Sequence, residues 1–450
     1  MTHAWWLSPE GIRSQEEQFG AGKRLLDTAR FMYDVQVDFY TRYKKAIRDT
    51  GYEGPIVGSC WKSSSGVPHY YNLHTDYMVG HIDRHGYYGG GGRGGRRGFT
   101  AKSFLQRPHG TMTEAFNQVI DRPFALSEWI GVSPYPWAAD GPPVLAAYGL
   151  GLQGWDASYH FASGQGAYTG DVSRRWDVMR PTQLGQYPTI ARMVYRGDVA
   201  EGPVISNRRV HVPSLADGKL GFVEERSLGV TADFNAISGD VPNEALAAGR
   251  VVVEFTDQFE KTPAFDLEKY MADGVVKSAT GQLEWHTAET MPGNPQEWQW
   301  DDRQGLVVIN TPGTAGLVGY APHEPHQLGT VTMTPQNLFS VVLVSAASQD
   351  GTLAEDDRLL VTAVARSENR NQKMHPARVM SVLDRGEGPP LMEPVRVKLR
   401  IDRPGNPTVH VLDHDGRRTG RTIPGQGGVV EIDTARDKTI YYELVYSNSE

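Results

Sequence analysis

The sequence has one cysteine, Cys60, in 450 residues, which excludes an internal disulfide framework and a multi-cysteine zinc site. No window approaches the ~20 apolar residues of a membrane-spanning helix, so no membrane partner is expected. Basic residues are in deficit: 45 Lys and Arg against 53 Asp and Glu leave a net charge of −8, which argues against a nucleic-acid partner. The opening stretch MTHAWWLSPEGIRSQEEQFG has no basic region leading into an apolar run, so no signal peptide is expected within the chain. His69 and His74, or His323 and His326, lack acidic partners at ligand spacing, so neither a metal nor a cofactor is expected.

Glycine, by contrast, is abundant at 50 residues, and with 28 prolines it predicts many tight turns. Within residues 22–50, Leu25, Ala29, Met32, Val35, Phe39 and Tyr43 recur at spacings of three and four, the pattern of an amphipathic helix ending at Gly51. Four short apolar runs follow, PIVGSCW (55–61), YMVGHID (77–83), PFALSEW (123–129) and GLGLQGWDA (149–157). Helical stretches at 111–120, 142–149 and 188–197 are interspersed with them or follow the last, and the alternation predicts a parallel sheet. Beyond about residue 200 the texture changes. VVVEFTD, GLVVINT, GTVTMT, FSVVLVSA, RLLVTAVA, VRVKLRI, PTVHVLD and IYYELVY are short β-rich runs between turn residues, which predicts antiparallel sandwich modules. These changes divide the chain into 1–200, 201–390 and, after the linker-like GEGPPLMEP, 391–450.

Chemistry concentrates where the three predicted parallel strands after 55–61 end. Asp83, His85 and Tyr87 close the second run, Glu128 and Trp129 the third, and Trp155 the fourth. A carboxylate nucleophile needs a hydroxyl donor to orient it, and a sugar ring needs an aromatic face for its C–H groups. Taken singly, an ion-paired Glu at a strand end or a core Trp is the blander explanation; the ordered series favours one pocket.

In these residues the sequence resembles glycoside hydrolase clan A, the (β/α)8-barrel retaining glycosidases, over the second half of the barrel. PIVGSCW is similar to its fifth strand, YMVGHIDRHGY to the sixth with a His-x-Tyr ending, PFALSEW to the seventh with the nucleophilic Glu, and GLQGWDA to the eighth with a platform Trp. The resemblance implies a partial TIM-type (β/α) barrel, equivalent to strands five to eight, followed by antiparallel β-sandwich modules. It implies a retaining hydrolase of a β-linked poly- or oligosaccharide, with Glu128 as nucleophile and Tyr87 and His85 as its partners. Trp155 is the implied sugar platform; Trp61, Asp83, Trp129 and Arg93 are further candidate substrate contacts. A non-catalytic carbohydrate-binding or scaffold protein derived from such an enzyme is the alternative, and a secreted or periplasmic parent stays open.

One part of that pattern is missing. Retaining enzymes use two carboxyl groups ~5–5.5 Å apart, and the family's acid/base follows an Asn at the end of strand four. No Asn-Glu precedes residue 55; Asn243-Glu244 lies in the β-rich region. The chain then reads as a barrel that begins after strand four. An upstream half, a completing chain or second copy, or Glu10, Glu16 or Glu17 are the candidates to supply the acid. The Gly-Arg run GGGGRGGRRG remains: Arg93, Arg96 and Arg97 suit an anionic sugar, while a solvated loop explains the run equally well.

Overall fold

A computed structural model describes residues 9–62, 66–91, 98–99, 103–133, 135, 137–163, 176–226, 237–287, 305–375 and 380–446. It is a mixed α/β protein built around a ten-stranded, largely antiparallel sheet. Strands Leu306–Asn310, Thr314–Gly319, Ser340–Ala346, Arg358–Val364 and Tyr441–Val445 lie side by side at its centre. A four-stranded sheet of His326–Leu328, Val331–Pro335, Arg396–Ile401 and Val429–Asp433 covers one face. Leu317, Val342, Val344 and Val361 of the large sheet pack there on Val331, Met333, Val397 and Leu399. The opposite face carries Val307, Ile309, Val341 and Leu343, which share a core with Phe124, Leu126 and Trp155 of the α/β part. Ser340–Ala346 is therefore buried at every residue, as a continuous apolar run between two layers must be, whereas Arg396–Ile401 alternates exposed and buried.

Those sheets and cores cross the residue numbers at which the sequence texture changes. Val204–Val210 pairs in parallel with Arg250–Phe255, Val253 bridges to Val119, and the Arg208 guanidinium lies over the Phe116 ring at 4.7 Å. Arg196 binds its own Asp198 and donates to the carbonyls of Gly313 and Ala346, tying the Tyr187–Arg196 helix to the large sheet. Likewise Arg396–Ile401 and Tyr441–Val445 complete sheets begun before residue 365, so the strands after 391 do not form a module of their own.

In the α/β part, strands Ile82–Tyr88, Phe124–Gly131 and Ala157–His160 are parallel and adjacent in that order. Of the segment 55–61 only Val57 joins them, through a parallel bridge to His81. The long helix Gly22–Asp49 lies over this margin: Tyr40 packs with Ile56 and Val79, and Lys44 Nζ donates to the Met78 carbonyl at 2.9 Å. Leu25 and Ala29 are buried as the spacing predicts, but Val35, Phe39 and Tyr43 face outward, together with Phe31. Two strand assignments need correction. Tyr77–Val79 is the last turn of helix Val67–Val79, broken by Gly80 at φ 139°, and the strand starts only at Ile82. The start of the fourth run is helical as well: the π-type stretch Leu145–Leu152 carries through residues 149–152, so the strand is Ala157–His160.

Helix Val67–Val79 also carries the half-buried His74, whose Nδ1 lies 2.9 Å from the Tyr33 hydroxyl while its ring stands edge-on to Phe255 at 4.7 Å. Burial lowers His74 from the usual 6.5 to about 4. The fold thus holds this ring neutral, and its stabilising effect is complete above pH 6.5 and is lost as pH falls towards 4. Full protonation costs about 3 kcal/mol. A His74→Phe variant is expected to show a flatter acid limb in melting temperature between those two pH values; an unchanged limb would count against the assignment.

Candidate active site

The strand register builds the site. Arg84 lies opposite Leu126 but His85 lies opposite Glu128, so Ser127 is an extra residue on the middle strand. Strict alternation sends neighbouring side chains to opposite faces; the bulge turns Ser127 and Glu128 towards the same histidine. His85 Nε2 is 3.1 Å from Ser127 Oγ, and Nδ1 is 3.3 Å from Glu128 Oε2. Ser127 Oγ donates to Asp83 Oδ2 at 2.7 Å and its amide to Asp83 Oδ1 at 3.1 Å. Since the serine proton goes to Asp83, its oxygen accepts from His85, which places a proton on Nε2 and points Nδ1 at Glu128.

Tyr87 donates its hydroxyl to Glu128 Oε2. Burial first, and then the Glu128 carboxylate, push this hydroxyl well above its ordinary value, so it stays a donor at every physiological pH. Gly86 between the two aromatic residues has a steric reason: a Cβ there would meet Thr111 Cγ2 at 2.9 Å and Glu114 Cγ at 3.1 Å. Glu114 is itself fully buried, paired with Lys62 at 2.7 Å and accepting from Asn117 at 3.1 Å.

Around the Glu128 carboxylate, which is 28% exposed, stand aromatic rings. Trp61, 54% exposed, meets His85 edge-on with centroids 5.0 Å apart. Trp176 lies 4.8 Å from Tyr87 and 6.2 Å from Phe161. Asp83, His85, Tyr87, Glu128 and Trp61 are thus brought into one cluster. Trp155 and Trp129 are not, and both are corrected here. Trp155 precedes its strand and packs in the core against Phe124, at the opposite end of the sheet from Glu128. Trp129 is 3% exposed and stacks flat on His160 at 4.0 Å, its Nε1 donating to Ser158. Arg93, Arg96 and Arg97 lie outside the described residues, as do Trp298 and Trp300. At the ends of the Gly-Arg run Gly90 pairs with Phe99, and Phe99 with Met380 of the β-rich part. Trp285 is a core residue, donating to the Leu105 carbonyl at 2.8 Å.

Sequence reasoning missed Trp176 and Ser127. Trp176 sits beyond the end of its strand in SRRWDV, where only its position after the strand signalled it. Cys60 lies near Asp83 and Glu128, but burial and then the Asp83 charge raise its thiol, which disfavours a thiolate nucleophile. Among the described residues no second carboxyl group pairs with Glu128; Asp83 reaches it only through Ser127 and His85. Glu16 accepts from the Gly22 amide at 2.6 Å and serves the helix junction there. No group of three or more potential metal ligands occurs among the described residues, and none of their helices is long and apolar enough to cross a membrane. Compared with protein-family models, with curated proteins and with solved structures, the chain matches none.

Proposed function

We propose that this chain is the C-terminal half of a (β/α)8 retaining glycosidase barrel joined to a β-sandwich, acting on a β-linked glycan with Glu128 as nucleophile. The observation that carries this reading is the carboxylate of Glu128 on the middle parallel strand, held by the Tyr87 hydroxyl beside His85, with the rings of Trp61 and Trp176 next to those two residues. The carboxylate attacks the anomeric carbon, the bond to the leaving oxygen breaks, and water later cleaves the glycosyl ester. Tyr87 orients the attacking oxygen, and the exposed Trp61 face receives sugar C–H groups.

Because no second carboxyl group pairs with Glu128 among the described residues, the test is chosen to need none. A leaving group as acidic as dinitrophenol departs without protonation, so the first step needs Glu128 alone. Incubation with 2,4-dinitrophenyl 2-deoxy-2-fluoro-β-glycosides is expected to esterify Glu128, read by peptide mass mapping. That no described carboxyl group pairs with Glu128 also favours a second reading, a carbohydrate-binding protein without turnover. It predicts sugar binding that survives Glu128→Ala and no labelling by any glycoside of the series.

A further inference from the structure

A cavity of about 680 Å³ opens where the Tyr187–Arg196 helix crosses the large sheet, away from Glu128. Its size is that of a small-molecule site. Leu184, Leu360 and Leu412 supply an apolar floor, and Arg192, Arg358 and Arg418 line its wall. The charges there are unequally matched. Arg358 and Arg418 share one carboxylate, Glu443, at 2.6 and 2.7 Å. Burial raises Glu443, but the hydrogen bonds of Arg418 and Arg358 outweigh it and hold the group below its ordinary value. Asp415, also on the wall, is taken by Arg417 at 3.1 Å.

Arg192 has no carboxylate partner among the described residues; it donates to the carbonyls of Pro188 at 2.7 Å and Ala347 at 3.4 Å. Burial, and then the positive charges of Arg196 and Arg358, lower its pKa against a smaller opposing effect of Asp356. A half-buried guanidinium facing a cavity beside two further arginines is a place where an added anion gains charge-assisted hydrogen bonds. The leucine floor asks for more than an inorganic ion. We propose that this cavity binds a small organic anion, a carboxylate or sulfate-type group carried on an apolar or sugar-ring body, with Arg192 as its principal contact. The site is independent of Glu128 and does not rest on the glycosidase reading.

Calorimetric titration of the full chain tests it, with naphthalene-2-sulfonate as the apolar probe and a uronate-containing disaccharide as the sugar probe. The expected result is saturable binding of one or the other at one per chain, weakened about tenfold in Arg192→Met, one lost charge-assisted contact. Arg192→Lys, which keeps the charge, is expected to recover part of the affinity, and neutral 2-naphthalenemethanol to bind far more weakly than the sulfonate. The two probes separate an apolar acid from an acidic sugar. Absence of saturable binding by both at millimolar concentration, or affinities unchanged in Arg192→Met and in Arg418→Met, overturns the proposal.

Discussion

Glu128→Ala is expected to lower turnover of a dinitrophenyl β-glycoside by about 10⁴-fold or more, because the bond-forming group itself is removed. The same variant is expected to regain activity when sodium azide is added. Azide occupies the space left by the carboxylate and attacks the anomeric carbon from that face, and the phenolate leaves with the bond electrons. The product is then a glycosyl azide of inverted configuration, which a merely structural role for Glu128 does not produce. The fold should tolerate the change, because the side chain is partly exposed. Tyr87→Phe is the companion variant. It removes one hydrogen bond to a charged acceptor, worth about 1.5–3 kcal/mol, and slows formation of the ester without abolishing it. Azide rescue of Glu128→Ala with no change in product stereochemistry would falsify the nucleophile assignment.

The layering of this protein could be read from its β-rich half because hydrophobic period reports how many faces of a strand are covered. FSVVLVSA is apolar at nearly every position and lies between two layers; VRVKLRI alternates and lies on the outside. The α/β half was harder for a physical reason. Tyr77-Met78-Val79 is too short an apolar run to distinguish the last turn of a helix from the start of a strand, and Gly80 serves either. Asp83, His85 and Tyr87 nonetheless came out on one face, since alternation holds within the strand wherever it begins. Which end of a strand a residue occupies depends on its exact start, and a start at Ala157 puts Trp155 before the strand, in the core with Phe124. The bulge at Ser127 was invisible for another reason: it exists only in the pairing of two strands forty residues apart, and neither strand encodes it alone.

Beside the Glu128 cluster a fully buried ion pair sets the position of the segment that carries Trp61, and its loss is the largest stability effect we expect. Arg84 and Asp76 are both completely buried and 2.9 Å apart. Arg84 also donates to the Ser59 carbonyl, and Asp76 accepts from the Ser59 amide, so the pair clamps the segment that carries Cys60, Trp61 and Lys62 to the sheet. Burial raises Asp76 and the Arg84 charge draws it back, to about 6, which leaves the pair ionic at neutral pH. Arg84→Met strands the carboxylate without its partner and is expected to cost about 3–5 kcal/mol in denaturant unfolding. The sign of the pH dependence follows. An acid raised in the folded state is accommodated when protonated, so its contribution is intact below the ordinary carboxylate range and is lost as pH rises through the folded value. Without Arg84 that folded value moves higher still, and the gap between variant and native protein should widen from pH 5 to pH 8. Arg84→Met combined with Asp76→Leu removes both charges and is expected to recover most of the loss, since an apolar pair of similar volume replaces an ionic one at little net cost. If the single variant is as stable as the native protein at pH 8, the clamp is not what holds Trp61 over His85.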